Sequence, residues 1–228
     1  MNKRGKMKNV LVVGVHPDDE TLGAGGTILK LKESGSKCHW LIVTHLFEED
    51  GFDSIRVKHR SIENAQVAEM FDFDSVTNLN YHATKLDRAS VAELMQSFTY
   101  VVDEIKPDTI IFPFHADVHS EHRIIFDCFW ACTKSFRYGF IKKILMQETI
   151  SSTEFAPPIQ NNAFLPNCFF DISEFMEKKI DIFKVFKSEY TPSPYPRSEE
   201  KIKALASYRG SRIGVEYAEA FMSLYEKF

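Results

Sequence analysis

Apolar residues in this chain fall into short unbroken runs, separated by stretches where they recur every three or four positions. The first run is Lys8–Val15 (KNVLVVGV), followed closely by Pro17. A run rich in β-branched residues without polar alternation predicts a strand buried on both faces, as in a parallel sheet. Cys38–Thr44 and Asp108–Phe114 are similar runs and predict two more strands, and Val76–Tyr81 and Ile141–Gln147 are further strand candidates. The stretches between them carry apolar positions at helical spacing. They predict helices over Thr27–Glu33, closed by Gly35, and over His59–Met70, Arg88–Ile105 and His122–Ser135. The third stops before Pro107, which cannot continue a helix. Strands alternating with helices predict an α/β fold with a mostly parallel sheet flanked by helices.

The last third has a different texture. Ser151–Pro166 reads as loop, Phe169–Ile172 as an edge strand, and Ser173–Lys187 as a helix. The prolines in Thr191–Pro196 exclude a helix there. Ser198 is placed to cap a helix through Tyr208, and a final helix is expected over Tyr217–Phe228. Residues 173–228 are therefore read as a helical part packed on the same core, and residues 1–228 as one domain.

Composition narrows the class. The 228 residues suffice for one sizeable domain, and 44% hydrophobic with 26% charged content is ordinary for a globular protein. A net charge of −4 argues against non-specific nucleic-acid binding. No apolar run is long enough to span a bilayer, so no membrane partner is expected. The basic stretch Met1–Met7 leads into the first strand without a small-residue cleavage site, and no signal peptide is read. Cys38, Cys128, Cys132 and Cys168 form no C-x-x-C and read as small core residues of a cytoplasmic protein. A homo-oligomer is compatible with all of this.

Candidate chemistry gathers at two strand ends. His16-Pro17-Asp18-Asp19-Glu20 follows the first strand, and His115-Ala116-Asp117-Val118-His119-Ser120-Glu121-His122 follows the fourth. In open α/β sheets ligands bind at the carboxyl ends of strands. If the two strands are neighbours, the two loops meet. Catalytic zinc takes three nitrogen or oxygen ligands and keeps one open position. His16, Asp19 and His122 supply such a set, and iron(II) suits the same donors. Asp18 is left as a general base, His119 faces a substrate carbonyl, and Glu121 orients a histidine, as carboxylates behind metal ligands do. Read separately, HPDDE is also a turn with aspartates capping a helix, and H-x-x-H is also a pair of surface histidines. Thr84 and Glu148 follow other strand candidates and could meet sugar hydroxyls; a solvated turn or polar loop is the simpler reading of each.

The pairing of HPDDE with D-x-H-x-[DE]-H about a hundred residues later resembles the LmbE/PIG-L family of zinc-dependent deacetylases. Arg60-Ser61-Ile62-Glu63 resembles the family's R-x-x-E helix start, and Tyr208-Arg209-Gly210 with Ala218-Glu219-Ala220-Phe221 its R-G…A-E-x-F ending. The resemblance implies a Rossmann-like fold and hydrolysis of an N-acetyl group, typically on an N-acetylglucosamine-type sugar. It implies His16, Asp19 and His122 as zinc ligands, Asp18 as base, His119 at the oxyanion and Arg60 near the sugar. Asp117 opens the second motif and belongs behind the ligands with Glu121. Glu121 stands where the family usually has Asp.

Other readings remain open. A sugar- or nucleotide-sugar-binding protein with a catalytically dead metal site would bind zinc but release no acetate. A dinucleotide enzyme is raised by Gly23-Ala24-Gly25-Gly26, which does not form G-x-G-x-x-G. A two-metal phosphoesterase would need a second carboxylate-rich cluster.

Overall fold

The computed structural model describes residues 7–228; Met1–Lys6, most of the basic N-terminal stretch, lie outside the described residues. The strands are β1 (Asn9–Gly14), β2 (Lys37–His45), β3 (Ser75–His82), β4 (Thr109–Pro113), β5 (Lys143–Gln147), β6 (Cys168–Asp171) and β7 (Ala218–Glu226). The helices are α1 (Asp19–Glu33), α2 (Ser54–Phe71), α3 (Val91–Ile105), α4 (Ser120–Trp130), α5 (Met176–Phe183) and α6 (Glu199–Ser211). One seven-stranded sheet runs in the order β3-β2-β1-β4-β5-β7-β6. The pairs from β3 through β5 are parallel, and β7 is antiparallel to both β5 and β6.

The unbroken apolar runs have the cause expected of them: both faces of the sheet are covered. Val10, Val12, Trp40 and Ile42 pack with α1, α2, α5 and α6 on one face. Leu11, Val13, Leu41 and Val43 pack with α3 and α4 on the other. The chain is a single-domain α/β fold. Among the described residues no helix is long and apolar enough to cross a membrane.

Two expectations fail. Residues Ala218–Glu226 form a strand, not a helix. Their Ala, Glu, Met and Leu favour helix, but β5 and β6 offer open backbone edges on either side. Sheet pairing overrides propensity there. The helix expected from Thr27 begins instead at Asp19, so Gly23, Gly25 and Gly26 are helical. A Cβ on Gly23 would lie 2.5 Å from the Gln147 side chain, and one on Gly26 would lie 2.6 Å from Ile172. These glycines let α1 approach its neighbours closely; they form no phosphate-binding loop.

Candidate active site

β1 and β4 are adjacent and parallel, so the loops after them share one end of the sheet. β1 connects onward to β2 and β3 on one side, and the chain then crosses to β4 on the other. This is the point where strand order reverses, and a crevice opens there.

His16 and His122 face each other across that crevice, with His16 Nδ1 and His122 Nε2 3.3 Å apart. Asp19 Oδ2 lies 3.3 Å from His122 Nε2 and 3.7 Å from His16 Nδ1. It also accepts the His16 backbone N–H at 2.8 Å, which fixes the carboxylate. Ligands about 2.0–2.2 Å from a tetrahedral ion stand about 3.3–3.6 Å from one another. The three donors therefore stand close to the spacing such an ion requires. The far nitrogen of each histidine is held by a carboxylate. Glu121 Oε2 meets His16 Nε2 at 2.8 Å, and Asp117 Oδ2 meets His122 Nδ1 at 2.7 Å. This leaves the near nitrogens to point at the shared centre, the arrangement typical of metal-bound histidines. His16, His119 and His122 also form a compact trio whose ligand atoms lie within 4.8 Å of one another. The set with Asp19 is tighter and mixes nitrogen with oxygen.

Charge follows this geometry. Burial pushes the His122 imidazole down, but Asp19 and Asp117 outweigh it and hold the ring protonated, with a pKa raised to about 10. Burial pushes Asp19 up, yet His122 and His16 bring it well below the usual carboxylate range. Glu121 is likewise lowered: burial is outweighed by His16 and by the Leu86 and Thr84 N–H groups.

Asp18 precedes α1 but does not cap it; no side-chain cap bond forms. Its backbone sits at φ 135°, a conformation that favours glycine and stores strain in other residues. Its Oδ2 accepts from Arg197 Nη1 at 2.8 Å, while Oδ1 is buried without a partner. Burial raises its pKa to about 6 despite Arg197. Neither the strain nor the orphaned oxygen is what a capping aspartate shows. His119, the residue before α4, has a buried, unpartnered Nδ1. Burial, with His16 and His122 nearby, lowers its pKa to about 4.

The three residues anticipated at the substrate have the following partners in the fold. Arg60 is buried, donating to Pro17 O at 2.8 Å and to Ser188 Oγ and Glu189 Oε1 at 2.9 and 2.5 Å. It clamps the HPDD turn from behind and has no free face for a sugar. Glu148 is held by Arg209 through two bonds of 2.8 and 2.5 Å. Thr84 is exposed, and its tie to the site is its backbone N–H, which donates to Glu121 Oε2 at 3.1 Å.

Two contributors had no usable sequence signal. Thr153 Oγ1 donates to Asp117 Oδ1 at 2.7 Å, behind His122. Arg197 joins Asp18 to Glu189 Oε2 (2.6 Å) and to Ser151 Oγ (2.7 Å). Arg197 ends a proline-rich segment that carries no periodicity.

The family model described as PIG-L: GlcNAc-PI de-N-acetylase matches residues 11–133, which include both histidine motifs. The chain belongs to the PIG-L family. It is thus an enzyme of a de-N-acetylase family. This PIG-L member is 25% identical over 224 residues to a diacetylchitobiose deacetylase of Thermococcus kodakarensis, covering 93% of this chain and 82% of the relative. Its fold is similar to that of the N,N'-diacetylchitobiose deacetylase of Pyrococcus horikoshii, with a TM-score of 0.77, 22% identity, and 96% and 84% of the two chains covered. It is also similar to GalB, the 4-carboxy-2-hydroxymuconate hydratase of Pseudomonas putida, with a TM-score of 0.73, 17% identity, and 97% and 98% covered. One fold thus hosts more than one reaction, and the site must carry the functional argument.

Proposed function

We propose that this PIG-L member hydrolyses the N-acetyl group of an amino-sugar substrate, with zinc held by His16, Asp19 and His122 and iron(II) as the other candidate ion. The observation that carries this is the clamped pair of histidines meeting Asp19, with Asp18 beside them and unused as a cap. When bound, a zinc ion in such a site polarises the amide carbonyl and acidifies water.

The protein's own groups perform the proton transfers. Asp18 takes the proton of the attacking water through Oδ1, while Arg197 holds Oδ2 still. Its pKa near 6 leaves it ionised at neutral pH yet basic enough to accept a proton. His119, held neutral, donates one ring N–H to the oxyanion that forms as the amide carbon becomes tetrahedral. The proton on Asp18 then passes to the departing amine, since a neutral His119 has none to spare. Glu121 and Asp117 keep the histidines oriented, and Arg60 holds Pro17 and thereby the turn bearing Asp18. The cytoplasm is the compartment proposed for the reaction.

Acetate release from a panel of N-acetylated sugars and nucleotide sugars tests this, with metal-free, zinc-loaded and Asp18→Ala protein compared. Zinc-dependent release is expected, and Asp18→Ala should keep its metal and lose about a hundredfold or more in turnover. Near-normal turnover of the zinc-loaded variant would remove Asp18 from the mechanism. Absence of release from every member would favour the binding-protein reading.

A further inference from the structure

A cavity of about 360 Å³ lies between residues 148–155, the proline-rich segment 194–197 and α6. Ile150, Phe155, Pro194, Pro196 and Leu205 form its apolar walls. We infer that it is the subsite for an uncharged apolar aglycone on the amino sugar, an inference that rests on the function proposed above.

Three observations carry it. The first is continuity with the catalytic groups. Ile150 precedes Ser151, whose hydroxyl accepts from Arg197 Nε, and Pro196 precedes Arg197, whose Nη1 donates to Asp18. The cavity is therefore one residue away, along both of its walls, from the contacts that hold Asp18.

The second is charge. Glu148 is occupied by Arg209, and Lys201 is paired with Glu200 at 2.8 Å. Glu154 accepts the Ser151 N–H at 2.6 Å, and burial pushes its carboxyl up. The lining thus carries two carboxylates, Glu148 and Glu154, against the single lysine Lys201, so a nucleotide diphosphate is poorly matched. An uncharged ring or short alkyl chain is well matched.

The third is rigidity with exposure. Two prolines fix one wall, so little ordering is needed on binding. Phe155 stays 57% exposed at the rim, and an apolar group placed on it would remove that surface from water.

The experiment uses deacetylated ligands, which cannot turn over. The zinc-loaded full chain is titrated calorimetrically with glucosamine, 4-nitrophenyl β-glucosaminide and UDP-glucosamine. The aryl glycoside should bind about tenfold tighter than glucosamine, and UDP-glucosamine no tighter than glucosamine. Phe155→Ala, at an exposed site that tolerates truncation, and Leu205→Trp, which fills the cavity, should each abolish the aryl advantage. Equal affinity for the first two ligands, an aryl advantage that survives both variants, or tightest binding of UDP-glucosamine would each overturn the subsite. Acetate release from the matching N-acetylated compounds is read in parallel. An aryl advantage without acetate supports the subsite and rejects the deacetylase reading; acetate without an aryl advantage rejects the subsite alone.

Discussion

His122 sits between Asp19 and Asp117 and holds its proton up to a pKa of about 10 when no metal is present. An ion bound through Nε2 must displace that proton. An ordinary histidine is largely neutral at pH 7.5 and would release little. Binding here should release about one proton at that pH, and affinity should rise about tenfold per pH unit until the ring deprotonates. Calorimetry of zinc binding in two buffers of different ionisation enthalpy counts the protons; a count near zero would mean that His122 is not a ligand. Arg197 allows a second test at this scale. Its bond to Asp18 Oδ2 leaves Oδ1 as the free oxygen. Arg197→Ala should lower kcat about ten- to a hundredfold with metal content unchanged, because a base misplaced by about 1 Å loses much of its advantage. Arg197→Lys should restore part of the loss by returning the charge, and an Ala variant with unaltered kcat would show that Asp18 needs no such support. The residues that meet at the site were legible in the sequence because their chemistry is dense and local: His16, Asp18 and Asp19 within four positions, and His119 and His122 in a second short motif. Arg197 was not, because 179 positions separate it from Asp18 and only the folded chain joins them. The distant partners of Arg60 were not legible for a related reason, since a sequence shows that an arginine is present but not which way its guanidinium faces.

At the scale of single elements, α1 matters most, because it begins at Asp19 and its register sets where that carboxylate stands. Gln147 on β5 donates to Asp19 O at 2.8 Å and lies against Gly23, so β5 also positions the first turn. Glycine inside a helix normally costs about 1 kcal/mol relative to alanine. Gly26→Ala should reverse that sign. The added Cβ would meet Ile172 at 2.6 Å, and the three nearest atoms belong to that one buried, branched side chain. A destabilisation of about 1–3 kcal/mol is expected from overpacking, measured by denaturant unfolding. A more stable variant would show that α1 does not require this close approach. The expected helix starts after these glycines, at Thr27, because glycine is a poor helix former. Their actual cause is a neighbour remote in sequence, and hydrophobic periodicity does not register such neighbours. By contrast, Ser198 was legible as a cap because capping is local: its side chain accepts the Lys201 N–H.

Across the whole molecule, the C-terminal strand ties the sheet to the helix that carries Asp19. β7 fills the space between β5 and β6 and brings Glu219 under α1. There Glu219 accepts the backbone N–H groups of Gly26 and Thr27 at 2.9 and 2.7 Å, and pairs with Lys179 of α5 at 2.7 Å. Lys179 also donates to Leu22 O at 2.8 Å, so one buried ion pair holds two donors and an acceptor of α1 from two different elements. The A-E-x-F ending was visible in the sequence, but it was read as part of a helix over Tyr217–Phe228, because nothing local reveals that two strand edges await it. A buried pair adds little stability over a well-packed apolar pair, yet breaking it strands a charge, at a cost of about 3–5 kcal/mol. Glu219→Gln should therefore destabilise the fold by about that amount, since the amide still accepts a backbone N–H but leaves the Lys179 ammonium uncompensated. Lys179→Met in the same chain should recover part of the loss by removing the stranded charge while keeping the side-chain volume. A double-mutant cycle on unfolding free energies reads the coupling directly. Strict additivity would show that the two residues act on α1 independently.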